Sequence, residues 1–267
     1  MAAALLMMNM QGAVMAADKD QTIFRYSDKV PFALITDPCS KLPLEDLWNE
    51  FRTTTPFTVN RPFSKQVNSV AKFMTSHIGD LKQDDFENEL SRNFICVGYD
   101  NDDMFPKAAI LETECVEGGL AFKVHENITI SRDCIVFHQA IGECTNINIL
   151  LGGISDSILS ALFHEMCNQL ASFLDIPVEH LKNMGQYAEV VNAYTSQMEE
   201  LQKDPETKKA LQYFTIKDMV AMEENLIDTE NLNHSSSTAL GGSYTKEIAI
   251  LTLAEGFKWI KHSLYGA

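Results

Sequence analysis

Positive charge is scarce in this chain: 21 Lys and Arg residues stand against 37 Asp and Glu, a formal net charge of −16 at pH 7. That balance repels phosphate backbones and anionic lipid surfaces, so neither nucleic acid nor a membrane surface is an expected partner. Long hydrophobic runs are also missing. No apolar stretch reaches the roughly 20 residues that a membrane-spanning helix needs, so no transmembrane segment is expected. The six cysteines, at positions 39, 96, 115, 134, 144 and 167, include no Cys-x-x-Cys pair and fall singly in or beside apolar stretches. Scattered singles read as reduced core thiols of a cytoplasmic protein, not as a disulfide framework or a zinc site.

The familiar catalytic and ligand motifs are incomplete in the same way. His164-Glu165-Met166-Cys167-Asn168 begins like a zinc-protease helix, but Asn168 occupies the place of the second histidine. A polar edge on an amphipathic helix accounts for it better. Leu151-Gly152-Gly153 precedes a helical pattern without the Lys-Ser/Thr pair or spaced third Gly of a phosphate-binding turn, so it reads as a helix entry. No Gly-x-Ser-x-Gly elbow occurs. Asp100, Asp102 and Asp103 lack the Gly and distal Glu of a calcium loop and read as a solvated hairpin. No cofactor and no metal is therefore expected.

What the chain does have is an apolar N-terminal region. Met1 to Met10 and Ala13 to Ala17 are two apolar runs of strand length joined at Gln11-Gly12, and the second ends abruptly in Asp18-Lys19-Asp20. Two such runs meeting at a Gly predict a hairpin whose first strand is buried. A secretory signal peptide is the rival reading, with Val14-Met15-Ala16 as its cleavage site. It lacks a positive n-region, since no Lys or Arg precedes Lys19, and Asn9, Gln11 and Gly12 interrupt the apolar core.

At 267 residues and 45% hydrophobic content, the chain is expected to form one domain, 1–267, around one substantial core. Strands are predicted at 22–26 and 30–36, then helices at 44–51 and 63–78 from apolar residues recurring at helical spacing. A strand-rich middle follows, with runs at 94–99, 108–111, 120–124 and 134–137 that predict an antiparallel meander. Ile147 to Leu151 is compatible with a strand or the opening of a helix. Helical patterns then cover 154–173, 187–201 and 216–227, with a loop at 231–243. Strands at 248–253 and 257–260 close the chain. The order strands, helices, strands, helices, strands suits two packed sheets with helices outside.

The succession Ala2 through Gln11-Gly12 to Ala16-Ala17-Asp18, then Thr22-Ile23-Phe24 and Ser27-Asp28-Lys29-Val30, resembles the start of the proteasome-like N-terminal-nucleophile (Ntn) hydrolases. Val97-Gly98-Tyr99-Asp100 before Pro106, and Leu240-Gly241-Gly242 before Ile248-Ala249-Ile250-Leu251 and Gly256-Phe257-Lys258-Trp259-Ile260, look like later parts of the same family. Order and spacing carry the likeness, since each motif alone is weak. The resemblance implies an α+β fold, a four-layer αββα sandwich of two antiparallel sheets between helical layers. It also implies a nucleophile that uses its own α-amine as general base, because an α-amine titrates near roughly pH 8.

Carried over residue by residue, the resemblance puts the nucleophile at Ala2, the Asp at Asp18 and the Lys at Thr22. Only Asp18 keeps its chemical type. Lys19 directly follows Asp18, so in an extended segment it would face the other way. Removal of Met1 would expose an inert methyl. The expected function is thus that of a non-catalytic proteasome-subunit-like protein, a pseudoenzyme acting through assembly or partner binding. The alternative is a threonine-type peptidase or amidase, binding peptide substrate, in which Ala2 stands in place of the nucleophilic Thr. The family resemblance implies a homo-oligomer or assembly with related subunits.

Overall fold

The computed structural model describes residues 3–17, 22–28, 30–36, 43–57, 61–78, 93–100, 103–116, 119–132, 134–142, 164–165, 167–169, 171–172, 177, 210–237 and 246–262. The chain divides into two compact units, 1–144 with 210–267, and 145–209. In the second unit the described residues between His164 and Ser172 are helical, within the predicted 154–173 span. The helix expected at 187–201 and the ambiguous run 147–151 lie outside the described residues.

The first unit is α+β, built on two five-stranded antiparallel sheets. Strands β1 (Ala3–Asn9) and β2 (Gly12–Ala17) form the expected hairpin, and every residue of both is buried. The turn is held locally: Asn9 Oδ1 accepts the Gln11 N–H at 2.8 Å. Gly12 is needed for a close approach, because a Cβ there would lie 2.9 Å from the Leu251 carbonyl oxygen. β3 (Ile23–Arg25) and β4 (Phe32–Thr36) follow, then helices α1 (Leu44–Thr54) and α2 (Phe63–Ile78). Next come β5 (Asn93–Gly98), β6 (Lys107–Val116), β7 (Gly119–Thr129) and β8 (Val136–Gly142). Helix α3 (Ile216–Ser237) precedes the final hairpin of β9 (Glu247–Thr252) and β10 (Gly256–Lys261). Gly256 turns that hairpin at φ +68°, a left-handed conformation that only glycine adopts without strain.

One sheet has the order β10-β9-β2-β1-β8 and the other β3-β4-β5-β6-β7. The expected meander holds for β5, β6 and β7 but ends there. β8 instead pairs along β1, with Ala3 opposite Gly142 and Asn9 opposite Val136. The reason is burial: β1 is apolar on both faces and needs a strand on each side to satisfy its backbone.

One apolar cluster draws on both sheets, including Ala4, Leu6, Met8 and Met15 from the first and Ile35, Ile95, Val97 and Ile110 from the second. Another joins Phe32, Leu34, Phe94 and Leu111 of the second sheet to Trp48 and Phe51 of α1 and Val67, Val70 and Met74 of α2. Each fully buried Leu, Ile or Phe of this kind contributes about 1.5–3 kcal/mol. α3 meets β1, β2 and β9. It runs ten residues past the predicted end at Ile227, through part of the expected loop. No Gly or Pro intervenes before Gly241, and adding a turn to a formed helix costs little.

The acidic turn after β5 is more than a solvated hairpin. Asp100 accepts the Phe63 N–H at the start of α2 at 2.5 Å, and Lys107 pairs with Asp100 at 2.7 Å and Asp103 at 3.1 Å. These side chains are half-buried, so the turn ties α2 to the sheet. Cys96, Cys134 and Cys167 are free thiols, and complete burial pushes the Cys96 thiol far up.

Candidate functional site

The candidate site lies where β1 begins and β2 ends. Register places Ala4 opposite Ala17, and Ala17 opposite Glu247, the first residue of β9. Glu247 is a charged residue at the head of an apolar strand, and it is buried to 1% exposure. Its Oε2 accepts the backbone N–H groups of Thr22 and Ile23, both at 3.3 Å. One carboxylate oxygen thus ties the first sheet to the start of β3 in the second. Its other oxygen, Oε1, lies 3.1 Å from Nδ1 of His262, just beyond β10. The Trp259 ring stacks on that imidazole, with centroids 4.1 Å apart and planes 17° from parallel.

Thr22 itself is buried, and its carbonyl accepts two bonds from Thr36, from the amide at 2.9 Å and from the hydroxyl at 3.3 Å. Around the rim, Lys246 pairs with Asp228 of α3, and Lys261 pairs with Glu224. These contacts fix β9, β10 and α3 against one another where the two strand ends meet.

The arrangement orients a proton. With Nδ1 carrying the hydrogen that faces Glu247, Nε2 of His262 becomes the acceptor nitrogen, on a side chain 36% exposed. A buried carboxylate whose second oxygen is held by backbone keeps that imidazole in one orientation. Holding or passing a proton is within the reach of this pair.

Among the three residues expected to form the site, Ala2 and Asp18 lie outside the described residues. Their neighbours Ala3 and Ala17 are the terminal residues of the central hairpin. Thr22 is placed at the head of β3, where its backbone serves Glu247 and Thr36. Glu247 and His262 were not anticipated. The available signal was an isolated Glu directly before the apolar run 248–251, and an aromatic Trp259 three residues before a histidine. In the second unit His164 and Glu165 are exposed, and Glu165 accepts a bond from Gln169 at 3.0 Å, as expected for a polar helix edge.

No protein-family model matches this chain, and no curated protein matches it. No helix among the described residues is long and apolar enough to cross a membrane.

Proposed function

We propose that this chain is a proteasome-subunit-like protein of Ntn type whose own nucleophile position is inert, and that it acts by assembly with copies of itself or related subunits. The observation that carries this reading is the placement of β1. It begins at Ala3, is buried throughout, and runs in the interior of one of two sheets that share an apolar cluster. In the family that the sequence resembles, the nucleophile is the residue immediately before such a strand. Here that residue is Ala2, whose methyl group cannot attack an acyl carbon.

The finer architecture belongs to the same proposal: a four-layer αββα sandwich with α1 and α2 over one sheet and α3 over the other. The two apolar clusters and the contacts of α3 support it. Thr22 supports inactivity independently. It stands where the family resemblance calls for Lys, with its amide on the Glu247 carboxylate and its carbonyl accepting the Thr36 hydroxyl.

An electrophilic probe for N-terminal nucleophiles, applied to the chain and to Ala2→Thr, tests the reading. Neither protein is expected to be labelled, because a threonine there would still lack the Lys. Labelling of Ala2→Thr alone would instead support the peptidase or amidase reading, with Ala2 in place of a working Thr.

A further inference from the structure

The turn end of the first sheet, where β2 begins and away from Ala17 and Glu247, carries apolar side chains that neither core cluster uses. Met10 in the β1–β2 turn is 43% exposed, Leu253 in the β9–β10 turn 48%, and Tyr213 just before α3 79%. They are three of the six large apolar side chains exposed among the described residues, and they stand on segments that meet. Asn9 donates from Nδ2 to the Phe214 carbonyl at 2.8 Å, which fastens the β1–β2 turn to the segment carrying Tyr213. A Cβ on Gly12 would lie 2.9 Å from the Leu251 carbonyl oxygen, 3.0 Å from Ile216 Cδ1 and 3.1 Å from Thr252 Cγ2, so the same turn abuts the end of β9 and the first residue of α3. Singly exposed apolar residues are ordinary, whereas several gathered at one place mark an interaction surface.

Charge at this end is balanced. The β3–β4 turn adjoins it, since a Cβ on Gly256 would lie 3.4 Å from the Asp28 carbonyl oxygen. On these segments Arg25, Lys217 and Lys258 match Asp28, Asp218 and Glu255, and all six are exposed. Arg25 pairs with Asp28 at 2.5 Å, and Lys258 with Glu255 at 3.9 Å. Because the six cancel, the whole formal charge of −16 belongs to the rest of the chain, which identical copies cannot bring together without repulsion. An apolar centre flanked by charges of both signs is self-complementary: turned about a two-fold axis, it can set each cation against a carboxylate of the other copy.

We propose that Met10, Tyr213 and Leu253 form the centre of a face that docks on the same face of a second copy of this chain. The proposal deepens the assembly reading above and rests on it. Apolar burial holds the contact, and the flanking charges set its orientation.

The test is sedimentation velocity of the full chain over a range of concentrations at high salt, where repulsion between the acidic remainders is screened. The wild type is expected to self-associate, and Leu253→Asp and Tyr213→Asp to weaken that association by about tenfold or more. Val116→Asp, at an exposed apolar residue at the end of β6 in the other sheet, is expected to leave it unchanged. Two charge-reversed proteins, Asp28→Lys with Glu255→Lys and Arg25→Glu with Lys258→Glu, identify the occupant at low salt. Each alone should stay monomeric, and the two mixed should associate. Self-association of the wild type that survives both Asp substitutions overturns this face while leaving assembly in place. A mixture that stays monomeric overturns the face-to-face contact, and means that the patch meets a different surface or a different chain. A wild type that is monomeric throughout overturns both this face and self-assembly.

Discussion

Glu247 shows how one side chain can tie several elements together. Its carboxylate satisfies two backbone N–H groups of the second sheet and faces His262, all from a position with 1% exposure. Glu247→Ala leaves those buried donors unmet, and each unsatisfied buried group costs about 1–3 kcal/mol. Urea unfolding of Glu247→Ala should therefore show a loss of at least that size, while His262→Gln, on a partly exposed side chain, should lose less. Equal losses would mean that the carboxylate does not bridge the sheets. Asp100 makes a second residue-level case. Burial alone would push its carboxyl up, but the Lys107 ammonium and the Phe63 N–H outweigh that and hold it below the ordinary carboxylate value. A carboxyl depressed on folding stabilises the protein above its unfolded pKa of about 3.9, and that stability is lost as pH falls through the lower folded value. Lys107 has the opposite sense: burial lowers its pKa, yet its bonds to Asp100 and Asp103 raise it overall, so its contribution is lost only as pH rises through the raised folded value. Urea midpoints measured at falling pH should drop less steeply for Asp100→Asn than for the wild type in the acid range. Parallel acid limbs would rule out this contribution.

Among the elements, α3 depends on how it starts. Thr215 and Asp218 form a reciprocal cap: the Asp218 N–H donates to Thr215 Oγ1 at 3.2 Å, and Thr215 returns its amide at 2.9 Å and its hydroxyl at 2.6 Å to the Asp218 carboxylate. The Thr215 hydroxyl, first, and its amide hold the Asp218 carboxyl below its ordinary value. One residue upstream, the Phe214 carbonyl accepts a bond from Asn9 Nδ2 at 2.8 Å, so the same turn is fastened to the β1–β2 hairpin. Loss of an N-cap typically costs about 0.5–2 kcal/mol. Thr215→Ala should be destabilised within that range in thermal or urea unfolding, and Thr215→Ser should recover most of the loss. If Ser restores nothing, the methyl group and not the hydroxyl matters. Hydrogen exchange would report the same change as weaker protection in the first turns of α3.

At the scale of the whole molecule, a net charge of −16 opposes close contact between identical copies. The proposed assembly must therefore strengthen with salt, since the screening length falls from about 30 Å at 0.01 M to about 3 Å at 1 M ionic strength. Light scattering across that range should show the mass rising above 29.9 kDa as salt increases. A monomer at every concentration and every salt would remove self-assembly and leave association with a different chain as the form of the proposal.

Much of the strand content was legible from residues 1–36 and 93–137 because alternating or continuous apolar runs bounded by charge and Gly leave few other backbone solutions. The β1–β2 hairpin, α1, α2 and the closing β9–β10 hairpin follow from such local patterns. Two features depended on contacts between distant residues, and a third on the absence of a local stop signal. β8 left the meander for β1, because a strand apolar on both faces needs two neighbours. α3 continued beyond Ile227 because nothing in its sequence stops it. Glu247 became a buried bridge only where β9 meets the start of β3. For the proposed site, sequence alone shows an alanine at position 2 and a threonine at position 22, which are matters of side-chain identity. The pairing of Glu247 with His262 was decided by tertiary structure, because burial and a 3.1 Å approach between residues remote in the chain exist only once the sheets and α3 have packed.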